Sequence, residues 1–397
     1  HEQRDPAGPL AGLDSSLMPD WTKFSGVDAG DIVSIDGKNK DDIASICGQT
    51  TPASGASRWV IAMSAGKVAH AAASNLTSWT NYDNTSGTGT PGAFDIAAGK
   101  DANGNIIYVV SRDSVTQELQ RSGTDVTSTA DWTAIDLGTG DLDQYRIIWC
   151  DDGTTSGVWL CVGRQTSDKV YRSTDGAVTW TGVDISGLSG HVSGTSNGIQ
   201  AMACGNGYIL MAQTDRIYYS TDYGSSWTSI APFAGNNPPG VGRSLTYTNN
   251  SFALVYGRGG IVRARSCADS DVTDWGDEVT VDQGPIRNPS GTLADKIAIA
   301  SAGGRVVHVT DDDAEIGYFD VSGKTLSNVT TVAPGISSGR RPEDIETDGN
   351  GTWILACRSG DVWRSTNNAV GWTRIVTNLD GSNTNLVGVC CDSLGPF

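Results

Sequence analysis

The chain has 397 residues, with 27 Lys and Arg against 45 Asp and Glu and a formal charge of -18. That excess argues against binding nucleic acid or an anionic membrane through net charge, and no apolar run approaches the roughly eighteen residues of a membrane-spanning helix. The opening residues, His1-Glu2-Gln3-Arg4-Asp5-Pro6, carry neither an initiator Met nor an apolar signal region and read as the start of a processed or recombinant chain, with any secretion signal outside this sequence.

Residues 1–20 are polar and contain Pro6, Pro9 and Pro19, so they read as an N-terminal arm, with 21–397 as a single domain. From Trp21-Thr22-Lys23-Phe24 onward, short runs of alternating apolar residues are separated by turns rich in Gly, Ser, Thr, Asn and Asp. No stretch of any length has a helical period, which predicts an all-β fold. Tryptophan supplies a ruler. Trp79, Trp132, Trp180, Trp227 and Trp275 are 53, 48, 47 and 48 residues apart, and the 97 residues from there to Trp372 make two periods. Such a period holds four strands of ~5–6 residues with their turns, clearest at 198–204, 208–212, 216–219 and 227–230.

The spacing predicts seven units, starting near Asp42, Phe94, Tyr145, Asn197, Val241, Asp295 and Arg341, with Ser327-Asn328-Val329-Thr330 as the hairpin of the unit that lacks its Trp. Two fragments remain. Residues 21–24 resemble an outer strand with nothing before it, and 386–391 an inner strand with nothing after it. A ring of repeats closes by joining such fragments, which removes an exposed edge; eight units is the alternative if they form an incomplete extra one.

One phrase recurs before three of the outer strands: Ser173-Thr174-Asp175-Gly176-Ala177-Val178-Thr179-Trp180, Ser220-Thr221-Asp222-Tyr223-Gly224-Ser225-Ser226-Trp227 and Ser365-Thr366-Asn367-Asn368-Ala369-Val370-Gly371-Trp372. Its chemistry is that of a tight turn: an Asp or Asn bonded to backbone N–H groups ahead of it, a Gly at positive φ, a Ser adding a local bond, and a Trp closing the hairpin. It resembles the Asp-box repeat, Ser-x-Asp-x-Gly-x-Thr-Trp, of sialidase-like β-propellers. Ser226 stands for Thr in the second copy, Ala177 for Gly in the first, and Asn367 and Ala369 for Asp and Gly in the third. The resemblance implies a seven-bladed β-propeller of four-stranded antiparallel blades, with these hairpins on the face away from a propeller's usual site.

Sialidase chemistry requires three Arg for the substrate carboxylate, a Tyr nucleophile with a Glu partner, and an Asp acid/base. The family's Arg-Ile-Pro motif is missing, Pro285-Ile286-Arg287 running in the opposite order, so no catalytic residue is assigned. No cofactor or metal is expected. There is no Cys-x-x-Cys, and His1, His70, His191 and His308 lie in unrelated contexts. Cys47, Cys150, Cys204 and Cys390 or Cys391 recur at the end of first strands, a packing position for small buried thiols. Acidic clusters at Asp101, at 269–277 and at 311–315 lack the Gly and Glu spacing of a calcium loop and read as solvated turns.

Arg112, Arg164, Arg216, Arg258 and Arg358 fall at or just after second strands in five units. The repeat therefore gathers them on one rim, where they hold an anion or an acidic partner or pair with Asp113, Asp168 and Asp215. The connections 81–92, 184–197, 231–240 and 282–289 share that rim, with Tyr82 and Phe233 as its main aromatics. The expected function is a non-catalytic structural or adhesive module that binds other proteins of an assembly through the arm and these loops, or an acidic glycan on a host surface. Abundant Gly, Ser and Thr with few Lys resembles bacteriophage virion propellers and suggests a virion or extracellular setting. The alternatives are a sialidase-like glycoside hydrolase, or an assembly factor resembling the Arg-faced photosystem II assembly propellers.

Overall fold

The computed structural model describes residues 58–63, 66–83, 93–112, 117–124, 126–139, 145–163, 168–192, 199, 201–213, 216–233, 241–258, 261–282, 297–310, 316–337, 340–379, 381 and 385–391. The arm, residues 21–24, the start near Asp42, Cys47, Arg164 and the acidic cluster at 311–315 lie outside them.

Among the described residues the chain forms seven four-stranded antiparallel sheets, and helix is limited to two short 3-10 turns. No helix here is long and apolar enough to cross a membrane. Blade 1 contains β1 (Arg58–Met63), β2 (Lys67–Ala72) and β3 (Thr80–Asp83); blade 2, β4 (Ala93–Lys100), β5 (Ile106–Arg112), β6 (Leu119–Ser122) and β7 (Trp132–Ile135). Blade 3 is β8 (Tyr145–Cys150), β9 (Val158–Gly163), β10 (Lys169–Ser173) and β11 (Thr181–Asp184); blade 4 is β12 (Ala201–Gly205), β13 (Tyr208–Ala212), β14 (Ile217–Ser220) and β15 (Thr228–Ile230). Blade 5 is β16 (Val241–Thr248), β17 (Ser251–Arg258), β18 (Ile261–Ala268) and β19 (Val279–Asp282); blade 6 is β20 (Ile297–Ala302), β21 (Arg305–Thr310), β22 (Ile316–Ser322) and β23 (Thr325–Val332). Blade 7 is β24 (Pro342–Thr347), β25 (Trp353–Cys357), β26 (Val362–Ser365) and β27 (Thr373–Val376), followed by β28 (Leu386–Cys391).

Strand β28 pairs antiparallel with β1, Val60 opposite Cys390, and so becomes the inner strand of blade 1. The expectation that this unit begins near Asp42 is corrected: its inner place is taken by the strand left over at the other end of the sequence. Seven sheets, not eight, make the ring.

The core is divided among the seven blade interfaces. Alternation sends Trp59, Ile61 and Met63 of β1 toward blade 7, against Ile354 and Ala356, and Val60 and Ala62 toward blade 2, against Tyr108 and Val110. Second strands are buried on both faces, so Val158–Gly163 and Trp353–Cys357 read as continuous apolar runs without alternation. The seven described cysteines are buried and none is in a disulfide. Cys204 Sγ lies 3.4 Å from the Trp149 carbonyl and Cys391 Sγ 3.5 Å from that of Thr347, each bridging neighbouring inner strands.

The recurring phrase folds as one hairpin three times. Ser173 Oγ donates to Asp175 Oδ1 (2.8 Å) and accepts from the Ala177 N–H (3.1 Å); Ser220 does the same with Asp222 (2.7 Å) and Gly224 (2.8 Å). Asp175 accepts from the Thr179 hydroxyl (2.6 Å) and Asp222 from the Ser226 hydroxyl (2.6 Å), while Asn367 Oδ1 takes the Ser365 hydroxyl (2.9 Å) and the Gly371 N–H (2.7 Å). Burial pushes the Asp175 and Asp222 carboxyls up, but these hydrogen bonds together outweigh it and hold both below the usual range. Ala177 and Ala369 occupy the glycine position at φ 62 and 64, buried and left-handed without being glycine. Sequence inspection missed how the turns are pinned: Arg121 Nε donates to the Gly176 carbonyl (2.6 Å) and Arg172 Nε to that of Tyr223 (2.6 Å), each from the blade before.

Blade 6 has no such turn. Ser327-Asn328-Val329-Thr330 lies inside β23, and the hairpin is the two-residue Gly323-Lys324 connection before it, which corrects the seventh-hairpin expectation.

Candidate functional site

The antiparallel order of the described strands puts the ends of second strands and the starts of third and first strands on one face, the rim on which the five arginines were expected. The structure gives each described one a different environment. Arg112 ends β5 with only 1% of its surface exposed, and burial lowers its pKa to about 10, so it faces the interior. Arg216 precedes β14 and lies over Gly190, where a Cβ would fall 2.2 Å from its Nε. Arg258 ends β17 and pairs with Glu278; Arg358, just after β25, pairs with Glu343. Asp168 is bound by His191 Nε2 at 3.0 Å, and that imidazole also meets the buried Tyr218 hydroxyl at 3.2 Å. Tyr82 and Phe233 are core groups and do not line the rim. The Tyr82 hydroxyl donates to the Val126 carbonyl (2.7 Å), and Phe233 is buried edge-on against Trp275.

Two groupings form around carboxylates that the sequence reading did not single out. In blade 5, Arg258 and Arg263 converge on Glu278 Oε1, Tyr256 donates to its Oε2 (2.6 Å), and Arg265 Nε meets the Tyr256 hydroxyl at 3.2 Å. Arg265 also lies 5.1 Å from the Phe233 ring centroid. Three guanidiniums with a Tyr–Glu pair repeat the inventory of sialidase chemistry. However, Tyr256 is fully buried between blades 4 and 5, and its hydroxyl and two of the guanidiniums are spent on Glu278. The set holds an interface together and has no accessible nucleophile. The period-2 spacing of Arg263 and Arg265 was the available signal.

Blade 7 differs because its guanidiniums face outward. Asp361, in the turn before β26, has a side chain only 1% exposed; Arg340 Nη1 meets its Oδ1 at 2.5 Å and Arg374 Nη1 its Oδ2 at 3.3 Å. The arginine side chains are 32% and 46% exposed, and Arg358 beside them, on Glu343, 38%. The Asn378 N–H (3.3 Å) also donates to Asp361, and Arg374 stands 5.9 Å from the Trp363 ring. Two buried carboxylates thus hold three guanidiniums, each with five N–H donors, at the rim.

The channel, lined by first strands, is acidic near blades 7, 1 and 2. Asp95 Oδ2 accepts the Ile147 N–H (3.1 Å) and Asp344 Oδ2 the Val389 N–H (2.8 Å), each tying its inner strand to the next blade. Burial, with Asp344 and Asp95 nearby, raises the Glu346 pKa to about 8, partly offset by the Thr347 N–H. The remaining acidic clusters serve their own turns: Asp101 accepts from the Asn103 and Asn105 N–H groups, Asp271 from Thr273, and Asp269 from Tyr247 (2.7 Å). Among the described residues no group of three or more His, Cys, Asp or Glu is arranged to hold a metal.

No family model and no curated protein matches the chain. Solved structures match in fold. A protein described as a 6-phosphogluconolactonase from Bacteroides fragilis is 14% identical, covering 86% of this chain and 99% of its own, with a TM-score of 0.50. YCF48 from Cyanidioschyzon merolae is 14% identical over 74% of this chain and 88% of its own (TM-score 0.49), and YCF48 bound to D1 peptide 16% identical over 76% and 93% (TM-score 0.48). At 14% identity the likeness to the first is one of fold alone.

Proposed function

We propose that the protein is a non-catalytic, protein-binding β-propeller that takes an acidic segment of a partner on the rim of blade 7. One observation carries this reading: Arg340 and Arg374 share the buried Asp361, with Arg358 on Glu343 beside them, so that a preorganised excess of positive charge faces solvent on a chain of charge -18. Guanidiniums held from behind lose little freedom on binding, and the outward donors of Arg340 and Arg374 match a carboxylate in bidentate geometry. Such a module fits the assembly-factor alternative more closely than a glycoside hydrolase. A virion or extracellular setting is carried with the proposal on composition alone, and the mode of binding does not depend on it.

The test uses a fluorescein-labelled peptide of alternating Asp and Glu, titrated against the full chain by anisotropy at low and at physiological ionic strength. Arg340→Ala with Arg374→Ala should weaken binding about tenfold or more, and added salt should weaken the parent more than the variant. Equal affinities for parent and variant, with both chains folded, would refute the assignment.

A further inference from the structure

Blade 6 departs from the other six at its outer strand. β23 runs for eight residues, whereas β3, β7, β11, β15, β19 and β27 have three or four. Its sequence, Thr325-Leu326-Ser327-Asn328-Val329-Thr330-Thr331-Val332, has no charge and no proline. All but Leu326 and Val332 are exposed, and Val329, at 40%, is one of four large apolar residues exposed in the described chain. β23 is the last strand of its sheet: one edge pairs with β22, and among the described residues no strand lies beside the other.

Long open edges attract other strands, and proteins blunt them by shortening, charge, proline or a bulge. Only the last is present here. The register shifts between Tyr318 and Asp320, and Asn328, at φ 51, turns its amide onto Asp320 (2.7 Å). The residues on either side, Thr325–Ser327 and Thr330–Val332, stay in the strand and, apart from Leu326, are β-branched or hydroxylated. The blade that lacks the Trp-closed hairpin is therefore also the blade with the open edge.

We infer that the outer edge of β23 is a docking site for an extended segment of a partner protein, which adds to blade 6 as a fifth strand. Pairing with the same edge of a second copy is disfavoured on two counts. Eight residues of edge bury far less than the ~1,200 Å² of a stable interface, and two chains of charge -18 would be brought together. A single extended segment brings no second charge of that size, and as a weak, transient contact it does not need that area: main-chain hydrogen bonds supply its affinity and alternate side chains its specificity. The matching chemistry is a strand of Thr and Val without acidic residues, flanked by Lys or Arg to suit an acidic host. This site is separate from the blade 7 rim and does not rest on it.

The probe is a synthetic Lys-Thr-Val-Thr-Val-Thr-Val-Lys peptide, followed by calorimetry and by hydrogen exchange of the full chain. Binding should slow exchange of the amides in 325–332. Val329→Lys with Thr331→Lys, which places like charge on the edge, should weaken binding about tenfold or more, and Thr331→Pro, which removes one edge donor, should weaken it independently. Absence of binding at millimolar peptide, protection confined to another blade, or unchanged affinity in both variants would overturn the inference. So would a concentration-dependent dimer that the Lys variant abolishes, because the edge would then belong to a second copy.

Discussion

His308 ties stability to pH in a way that can be worked from its surroundings. It sits in the middle of β21, 1% exposed, with its ring against the glycine opposite: a Cβ on Gly317 would fall 2.0 Å from Nε2. Neither ring nitrogen has a hydrogen-bond partner of ordinary geometry, and burial lowers its pKa to about 4, opposed only weakly by the Val281 backbone. The folded chain therefore keeps a neutral imidazole while the unfolded chain, near pKa 6.5, takes a proton first. Stability contributed by this difference is complete above pH 6.5 and is lost as the pH falls from there toward 4. Relative to pH 7.5, the loss is about 1.4 kcal/mol at pH 5.5 and about 2.5 kcal/mol at pH 4.5. Urea unfolding of the parent and of His308→Leu at those three pH values isolates it, because every other titrating group is common to both chains. The parent should lose ground to the variant by these amounts as the pH falls. A difference that stays constant from pH 7.5 to 4.5 would refute the argument, whatever the absolute stability of the variant.

Glu346 works in the opposite direction: its raised pKa of about 8 means that stability falls as the pH rises from 4.5 through 8. Glu346→Gln should therefore stabilise the chain at pH 8 by roughly 2–4 kcal/mol and change it little at pH 4.5, as read from chemical denaturation. Trp227, 8% exposed and packed with Leu160, Met211 and Tyr218, closes both a hairpin and a blade interface. Trp227→Ala should cost about 3–5 kcal/mol, and an unchanged denaturation midpoint would remove its packing role. Gly224 stands at φ +81, where a Cβ would meet Leu160 Cδ2 at 2.7 Å, so Gly224→Ala should cost about 1–3 kcal/mol. The same position in blade 3 already holds Ala177, and Ala177→Gly should change stability by less than about 1 kcal/mol, relief of a left-handed Ala offsetting a lost buried methyl; thermal melts of the two variants give the comparison.

Much of the fold was legible because its signals are local. Phe94, Tyr145 and Val241 fall at the starts of β4, β8 and β16, and the Trp ruler works because each Trp stands at or shortly before an outer strand. The ruler failed where blade 6 replaces that hairpin by Gly323-Lys324, which needs no aromatic closure. It also could not say which end of the chain fills the inner place of blade 1, since that pairing joins residues more than three hundred positions apart. The site was legible in position only. A strand pattern puts Arg112, Arg258 and Arg358 on one rim, but burial of the first depends on tertiary packing, and the carboxylates on the others, Glu278 and Glu343, come from 20 and 15 residues away, where spacing alone does not single them out. Phe233, in a segment that reads as an exposed loop, is instead drawn into the core by Trp275 and by the Arg265 guanidinium.

The pairing of β28 with β1 also sets an order of events during synthesis. Strands β1, β2 and β3 leave the ribosome before β28, so β1 lacks its native inner partner until residues 386–391 have cleared the exit tunnel. For most of translation blade 1 therefore presents a bare inner edge, with Trp59 and Ile61 uncovered, while the six later blades form one after another. Closure joins residues more than three hundred positions apart, so it cannot precede the synthesis of 386–391. A nascent chain stalled anywhere before Leu386 is left as an open arc whose exposed end invites a chaperone or another arc.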